Sequence, residues 1–424
     1  MSTITPLRIQ EIDLADPDVH LRNEQHDIFR RLRAEAPIHY NTGSGEFAPF
    51  WSVTKYADVA KISRNPQLWS SEQGISIPPA VADQQATFNT FGRMLIVMDP
   101  PRHVRLRRLV NKGFTPRAVA MIEPEIRRIT GTLLDRIQSR GSCDFVVDVA
   151  AQLPLAVICS MMGIAEKDWD LMFRLTNKVL GAGDPEYQDE LSEGVATGSP
   201  AAARETSVQG FTQMFAYFTQ VLQELRGGRR GEDITSILID AEVDGEKLSD
   251  EEVLFFCFLL VVAGNETTRN AISGGLLAFS EHPAEKARLL ADRSLYDSAV
   301  EEIIRWVSPV THMTRVATAN TELRGQPIKA GERVTMWYPS VNRDEDVFVD
   351  PYRFDIARTP NEHLAFGIGE HFCLGAGFAR LELKVIFQEL FSRMPEIEVS
   401  GPVERLRSNF IGGIKHLPAA FTAR

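Results

Sequence analysis

The chain carries four cysteines, Cys143, Cys159, Cys257 and Cys373, and none stands in a Cys-x-x-Cys or Cys-x-x-His spacing. Neither a structural zinc site nor a disulfide framework is indicated. Cys373 is set apart by its surroundings in "HLAFGIGEHFCLGAGFARLELKVIFQELF", residues 363 to 391. Gly367, Gly369, Gly375 and Gly377 flank it, so bare backbone can approach something flat and bulky. Helical periodicity starts just after it, in Leu374, Phe378, Leu381, Leu383, Val385 and Ile386. The sulfur is thus expected at a helix N-terminus, where free amides and the dipole favour thiolate over thiol. A thiolate there is either a nucleophile or a metal ligand. His371, two residues away in the same loop, is poorly constrained to act as its base. The other three cysteines read as small buried hydrophobes.

A second group interrupts an apolar run. "VLFFCFLLVVA" (253 to 263) is apolar all round and is followed by Gly264-Asn265-Glu266-Thr267-Thr268. An acid and a hydroxyl in such a helix are costly unless satisfied or used. The apolar pattern resumes with Ala271, Ile272, Leu276 and Leu277, so the polar patch is expected in mid-helix. Threonine there can bond back to the preceding turn, opening the ladder and admitting water. Elsewhere, Glu302-x-x-Arg305 is surrounded by Ile303, Ile304, Trp306 and Val307, which predicts a partly buried ion pair. In "MDPPRHVRLRRLVNKGF" Asp99 is the expected helix cap, with Pro100 and Pro101 in the first turn. His103 and Arg107 share one face of that helix, and Arg105, Arg108 and Lys112 another.

The elements that must position these groups are mostly helical. Helical patterns cover "NEQHDIFRRLRAEAP", most of 101 to 308, and 375 to 393. Strand signals are short: "FWSVT" (50 to 54), a hairpin over 322 to 338, and the C-terminal end. A mainly α protein with a small β region is the expectation. The stretch 181 to 205, rich in glycine, small residues and acids, reads as a mobile loop between two helices of one domain. With 424 residues, 44% hydrophobic and 24% charged, the chain can bury a large core without staples. Its net charge of −11 argues against a nucleic-acid partner. The apolar run falls short of the ~20 residues of a membrane span. No signal-peptide pattern opens the chain, and cysteine usage fits a reducing cytoplasm.

Phe366-x-x-Gly369-x-His371-x-Cys373-x-Gly375 resembles the haem-binding signature of the cytochromes P450, the haem-thiolate monooxygenases. The Ala263 to Thr268 patch, Glu302-x-x-Arg305 and "DPYRFD" match further family motifs in the family's order. The resemblance implies a single P450 domain over 1–424, with haem b between the long central helix and the cysteine-loop helix. Cys373 becomes the axial iron ligand, whose electron push favours O–O cleavage, and Phe366, Gly367 and Gly375 border the cofactor. His103, Arg107, Arg315 and His371 are implied to meet the propionates, although position 371 is more often arginine in the family. Glu266 and Thr267 would deliver protons, while Glu302, Arg305 and Arg353 would form a buried structural charge network. Met94, Leu259, Val262, Ala263, Val310, Met313 and Phe410, with the segment 74 to 94, fall on the family's substrate segments.

Nothing in the sequence resembles a flavin, dinucleotide or iron–sulfur site. The resemblance therefore implies a ferredoxin and its NAD(P)H-dependent reductase as electron source, meeting a monomer at the basic stripe. "AGNETTRN" and "SNFIGGIKHLP" look like bacterial members that oxidise terpenoids, sterol side chains and methyl-branched lipids. Two alternatives share the cysteine: a peroxide-driven hydroxylase and a non-catalytic haem-thiolate sensor. The Glu266-Thr267 pair speaks against both.

Overall fold

The computed structural model describes residues 8–43, 47–80, 93–228, 231, 233–243 and 245–423. Residues 81–92 of the expected substrate segment, and the side chain of Lys112, lie outside the described part. The elements that matter for the site are, in order, α1 (Gln25–Glu35), β1 (Ile38–Asn41), β2 (Phe50–Val53), α2 (Tyr56–Ser63) and β3 (Trp69–Ser70). Then come α3 (Arg102–Val110), α4 (Pro116–Ile137), β4 (Ser142–Asp144), α5 (Gln152–Met161), α6 (Trp169–Leu180) and α7 (Pro200–Arg226). The second half holds α8 (Asp250–Glu281), α9 (Tyr296–Val307), β5 (His312–Ala317), β6 (Thr321–Leu323), β7 (Gln326–Ile328), β8 (Arg333–Trp337) and α10 (Ala376–Arg393).

Helix α8 is the axis of the molecule. Its 32 residues start at a capping box, with Ser249 Oγ accepting from Glu252 N–H and Glu252 accepting from Ser249 N–H. Such a cap stabilises a helix by about 1 kcal/mol. The run 253 to 263 is apolar on nearly every side because that half of α8 is buried within one core, and the other half enters a second. Its N-terminal half (Phe256, Val261) packs with Leu106, Leu109, Met172, Leu175 and Phe218 of α3, α6 and α7. Its C-terminal half (Ile272, Leu276, Phe279) packs with Ile126, Leu133, Ile303, Leu383 and Phe387 of α4, α9 and α10. Gly275 permits this second contact: a Cβ there would lie 2.7 Å from Phe387 Cζ.

The small β region is a five-stranded sheet in the order β1-β2-β8-β5-β3. β8 runs parallel to β2 and antiparallel to β5, pairing Met336 with Met313 and Val334 with Arg315. The expected hairpin over 322 to 338 is shorter than its sequence pattern. Only β6 and β7 form it, turning through Arg324 and Gly325 at φ of 49° and 81°. β8 leaves it because its five residues are all buried, and the centre of the large sheet supplies that environment.

The stretch 181 to 205 does join two helices, but it is tied down. Ser199 caps α7, so the connection ends there. Lys178 reaches Asp189 at 2.8 Å and Glu190 at 2.9 Å, and Lys415 reaches Asp184 at 3.1 Å and Glu186 at 2.8 Å. The acids that made this segment look solvated are the groups that anchor it.

Candidate functional site

The loop 363–375 brings Cys373 to the start of α10, which begins at Ala376. Its own N–H donates to Phe366 O at 2.8 Å, closing the loop on itself. Gly369 is held at φ 79°, and a Cβ there would meet Ser63 O of α2 at 2.6 Å, so only glycine fits. Gly377 abuts Val119 of α4, whereas Gly375 has nothing within 4 Å of where a Cβ would stand. Of the flanking glycines, then, Gly375 leaves open space and Gly367, at φ 70°, meets nothing closer than 3.7 Å, while Gly369 and Gly377 serve chain packing. Burial pushes the Cys373 thiol up, while the N–H groups of Gly375 and Ala376 and the guanidiniums of Arg107 and Arg380 act the other way. Cys143, Cys159 and Cys257 are raised chiefly by burial, and Arg140 and Thr235 give Cys143 and Cys257 only minor opposition. Those three are core residues or lie against the core, as expected.

Helix α8 shows a break in its burial. Ala263 is exposed and Leu259 and Thr267, one four-residue step to either side of it, are half-buried, in a stretch of helix otherwise mostly buried. A protein does not leave the middle of its central helix bare unless something else covers it. Thr267 Oγ1 donates to Ala263 O at 2.8 Å, the expected backward bond, although α8 remains a continuous helix through this point. The hydroxyl proton is committed to the backbone, so Thr267 presents an acceptor lone pair to the open side.

Glu266 faces the other way. Its carboxylate accepts a short hydrogen bond from Arg269 and another from Asn270 Nδ2 at 3.1 Å, and one carboxylate oxygen is buried without a partner. Arg269 also donates to Asn177 Oδ1 on α6 at 2.9 Å. The sequence reading missed Arg269, although Glu266-x-x-Arg269 has the same spacing as Glu302-x-x-Arg305.

Above the cysteine loop four nitrogen-bearing side chains converge. His103 and His371 rings lie 4.2 Å apart, and His371 Nε2 is 3.2 Å from Ser71 Oγ. Arg315 is 6% exposed, donates to Thr314 O, and forms no ion pair among the described residues. Arg107 donates to the carbonyls of Glu370 and Phe372, again with no ion pair among the described residues. His103 Nδ1 is buried and unpartnered. Burial, then nearby cations, holds His103 at about 4 and His371 far below the usual histidine value. Asp99 is not the cap of α3. It accepts Ser71 N–H at 2.9 Å instead, and Pro101 occupies the cap position. The basic stripe is also thinner than expected, because Arg105 pairs with Glu246. Arg108 remains exposed.

The expected charge network is corrected in one member. Arg305 meets Glu302 at 2.7 and 2.8 Å, but Arg353 is exposed and offers only its carbonyl, at 3.3 Å from Arg305 Nη2. The second cation on Glu302 is Arg358, at 3.1 Å. Met94 is 9% exposed and Val262 8%, both packed in the core that α8 shares with α3, α6 and α7, whereas Val310, Met313 and Phe410 are half-buried.

A thiol at a helix start, a partly exposed face on α8, and two guanidiniums, Arg107 and Arg315, with no ion pair among the described residues and two histidines beside them meet the needs of an iron porphyrin with two carboxylates. This makes it a haem-thiolate protein. The chain belongs to the cytochrome P450 family, whose model matches residues 77–395. It is 42% identical over 98% of its length to the methyl-branched lipid omega-hydroxylase of Mycobacterium tuberculosis, covering 95% of that protein. It is 37% identical to the steroid C26-monooxygenase of Mycolicibacterium smegmatis, over 99% of this chain and 95% of that one. Among solved structures, Mycobacterium marinum cytochrome P450 CYP268A2 in complex with pseudoionone superposes with a TM-score of 0.87 at 36% identity. That match covers 99% of this chain and all of the other.

The chain is thus a monooxygenase that uses haem b, takes a hydrophobic substrate and draws its electrons from a redox partner. No helix among the described residues is long and apolar enough to cross a membrane.

Proposed function

We propose that this enzyme hydroxylates an unactivated C–H bond near the far end of a methyl-branched or long-chain lipid, with terpenoids and steroids as related substrates. The observation that carries the reading is the partly exposed stripe Leu259–Ala263–Thr267: its wall is apolar up to a single hydroxyl. Such a wall can hold a hydrocarbon end and supply one polar contact beside it. Val310, Met313 and Phe410 extend the wall. The names of the relatives point to the same substrate classes.

Haem b, when bound, supplies the activation of dioxygen, and Cys373 would hold it, with His103, Arg107, Arg315 and His371 toward its carboxylates. The chain's own residues do the rest. Leu259 and Ala263 exclude water from the reacting end, and Thr267 offers a lone pair to hold a proton donor in place. Glu266, when its bond to Arg269 is released, takes a proton from solvent and passes it inward. We further propose a single domain over the whole chain, working as a monomer in the cytoplasm. Its electrons come from a ferredoxin and its NAD(P)H-dependent reductase, docking near exposed Arg108.

Affinity should rise by about fourfold per added methylene until the pocket is full, since each buried methylene contributes ~0.8 kcal/mol. Spectral dissociation constants for straight fatty acids of increasing length, and for their iso-branched forms, measure this. Tight binding of small, strongly charged aromatics alone would overturn the lipid reading and leave the oxygenase reading in place.

Thr267→Ala should keep the substrate-induced spin-state shift and still consume reducing equivalents. Product per electron pair should fall by about tenfold or more, the lower bound lying below the ~10²–10⁴-fold a positioned acid–base group contributes, and peroxide should rise to match. Unchanged coupling would return Thr267 to a purely structural role.

A further inference from the structure

Strand β5 alternates its side chains, so Met313 and Arg315 share one face and His312 and Thr314 the other. His312 is fully buried behind the proposed substrate wall. Its Nδ1 lies 3.0 Å from Asn409 O, and its Nε2 accepts from Ile77 N–H at 3.3 Å. A carbonyl can only accept and a backbone N–H can only donate. The two contacts together therefore require one tautomer, neutral imidazole with its proton on Nδ1. The ring stands edge-on to Phe410, 5.3 Å between centroids, and to Trp337 at 4.9 Å.

These contacts join three parts of the chain that are far apart in sequence. Ile77 belongs to the described beginning of the 74 to 94 segment, His312 to β5, and Asn409–Phe410 to the C-terminal loop. Neighbouring backbone bonds run along the same seam: Thr311 N–H to Phe410 O at 2.9 Å, Gly412 N–H to Pro309 O at 2.8 Å, and Thr314 N–H to Ile75 O at 2.8 Å. A purely apolar aromatic would fill the same space. It would leave Ile77 N–H and Asn409 O without the partners they have here, and a buried backbone group left unpaired is costly.

We infer that His312 is a positioning residue for the substrate: it fixes where the Phe410 ring stands, and so how deep an apolar chain end enters and which of its carbons is presented. The inference rests on the reading of Phe410 as part of the substrate wall. Burial, the main cause, holds the imidazole down at about 3, so the single tautomer persists across the working pH range. His312 acts through Phe410 and the loop around it, and it touches neither cofactor nor reacting atoms.

The test uses the haem-loaded enzyme with an iso-branched hexadecanoic acid as probe and a surrogate ferredoxin and reductase. The variants are His312→Phe, His312→Gln and Phe410→Ala, each checked for the carbon monoxide spectrum of a folded haem-thiolate protein. His312→Phe keeps the ring and loses both hydrogen bonds. It should bind the probe about tenfold more weakly and move oxidation severalfold from the terminal carbon toward inner carbons. His312→Gln retains a donor and an acceptor and should restore the wild-type product ratio. A loss of thermal stability alone, with affinity and product ratio unchanged in His312→Phe but altered in Phe410→Ala, overturns the proposal and leaves the wall reading standing. Unchanged binding and products in Phe410→Ala overturn both. If His312→Phe does not accumulate, His312→Asn, which reaches Asn409 but not Ile77, takes its place, and an unchanged product ratio there counts against the proposal equally.

Discussion

Cys373→Ala protein is expected to lose the thiolate-type spectrum of the reduced carbon monoxide complex entirely, and with it all monooxygenase turnover. Of the four cysteines, Cys373 alone receives N–H groups from a helix start, and two guanidiniums, those of Arg107 and Arg380, add to their lowering effect. Cys159 and Cys257 lie buried in the core around α3, α6 and α7, 0% and 2% exposed, and Cys143 packs against the core around α4, α9 and α10. Alanine at any of those three should leave the spectrum in place and cost only the packing of a small side chain. The comparison is made by recording the reduced carbon monoxide spectrum of each variant at equal haem content. A Cys373→Ala spectrum indistinguishable from wild type would remove the central assignment. The reverse pattern, with Cys143→Ala or Cys257→Ala losing it, would move the ligand elsewhere.

The second large effect should come from Glu302. Its side chain is 0% exposed and accepts from Arg305, Arg358, Asp355 N–H at 2.9 Å and Asn361 Nδ2 at 3.2 Å. Removing the carboxylate leaves two guanidiniums, 0% and 9% exposed, without their anion. Breaking one partner of a buried pair costs about 3–5 kcal/mol, a large part of the about 5–15 kcal/mol that holds an ordinary domain. Glu302→Ala should therefore accumulate poorly and unfold many degrees lower. Arg358→Ala should behave similarly, while Arg353→Ala, which removes only an exposed side chain, should stay within about 0.5 kcal/mol of wild type. Thermal unfolding and haem content of the three variants separate these cases. Equal damage from Arg353→Ala and Arg358→Ala would show that the network is not the one described.

Glu302 also shows where sequence reasoning stops. Glu302-x-x-Arg305 was legible because both members sit one turn apart on a single helix flanked by apolar residues. Its third member was not: Arg353 and Arg358 both follow the strand region, and only packing decides which guanidinium turns inward. Arg269 was legible in principle by the same one-turn rule. Asp99 looked like a cap because acids before prolines often are, yet Ser71, from a distant part of the chain, took its carboxylate. Arg105 was counted in an open basic stripe, and Glu246 closes it.

The sequence by itself determined the local devices: a cysteine among glycines before a helix, a polar break in an apolar run, and the single-turn pairs. Each depends on residues a few positions apart, where backbone geometry leaves few choices. Only the tertiary structure decided which face of α8 stays partly exposed, which cations on the cofactor side lack an acid among the described residues, and that His312 ties Ile77 to Asn409. Those are contacts between segments separated by scores to hundreds of residues. Their partners are selected by burial and by the need to satisfy every buried polar group, which no short pattern encodes.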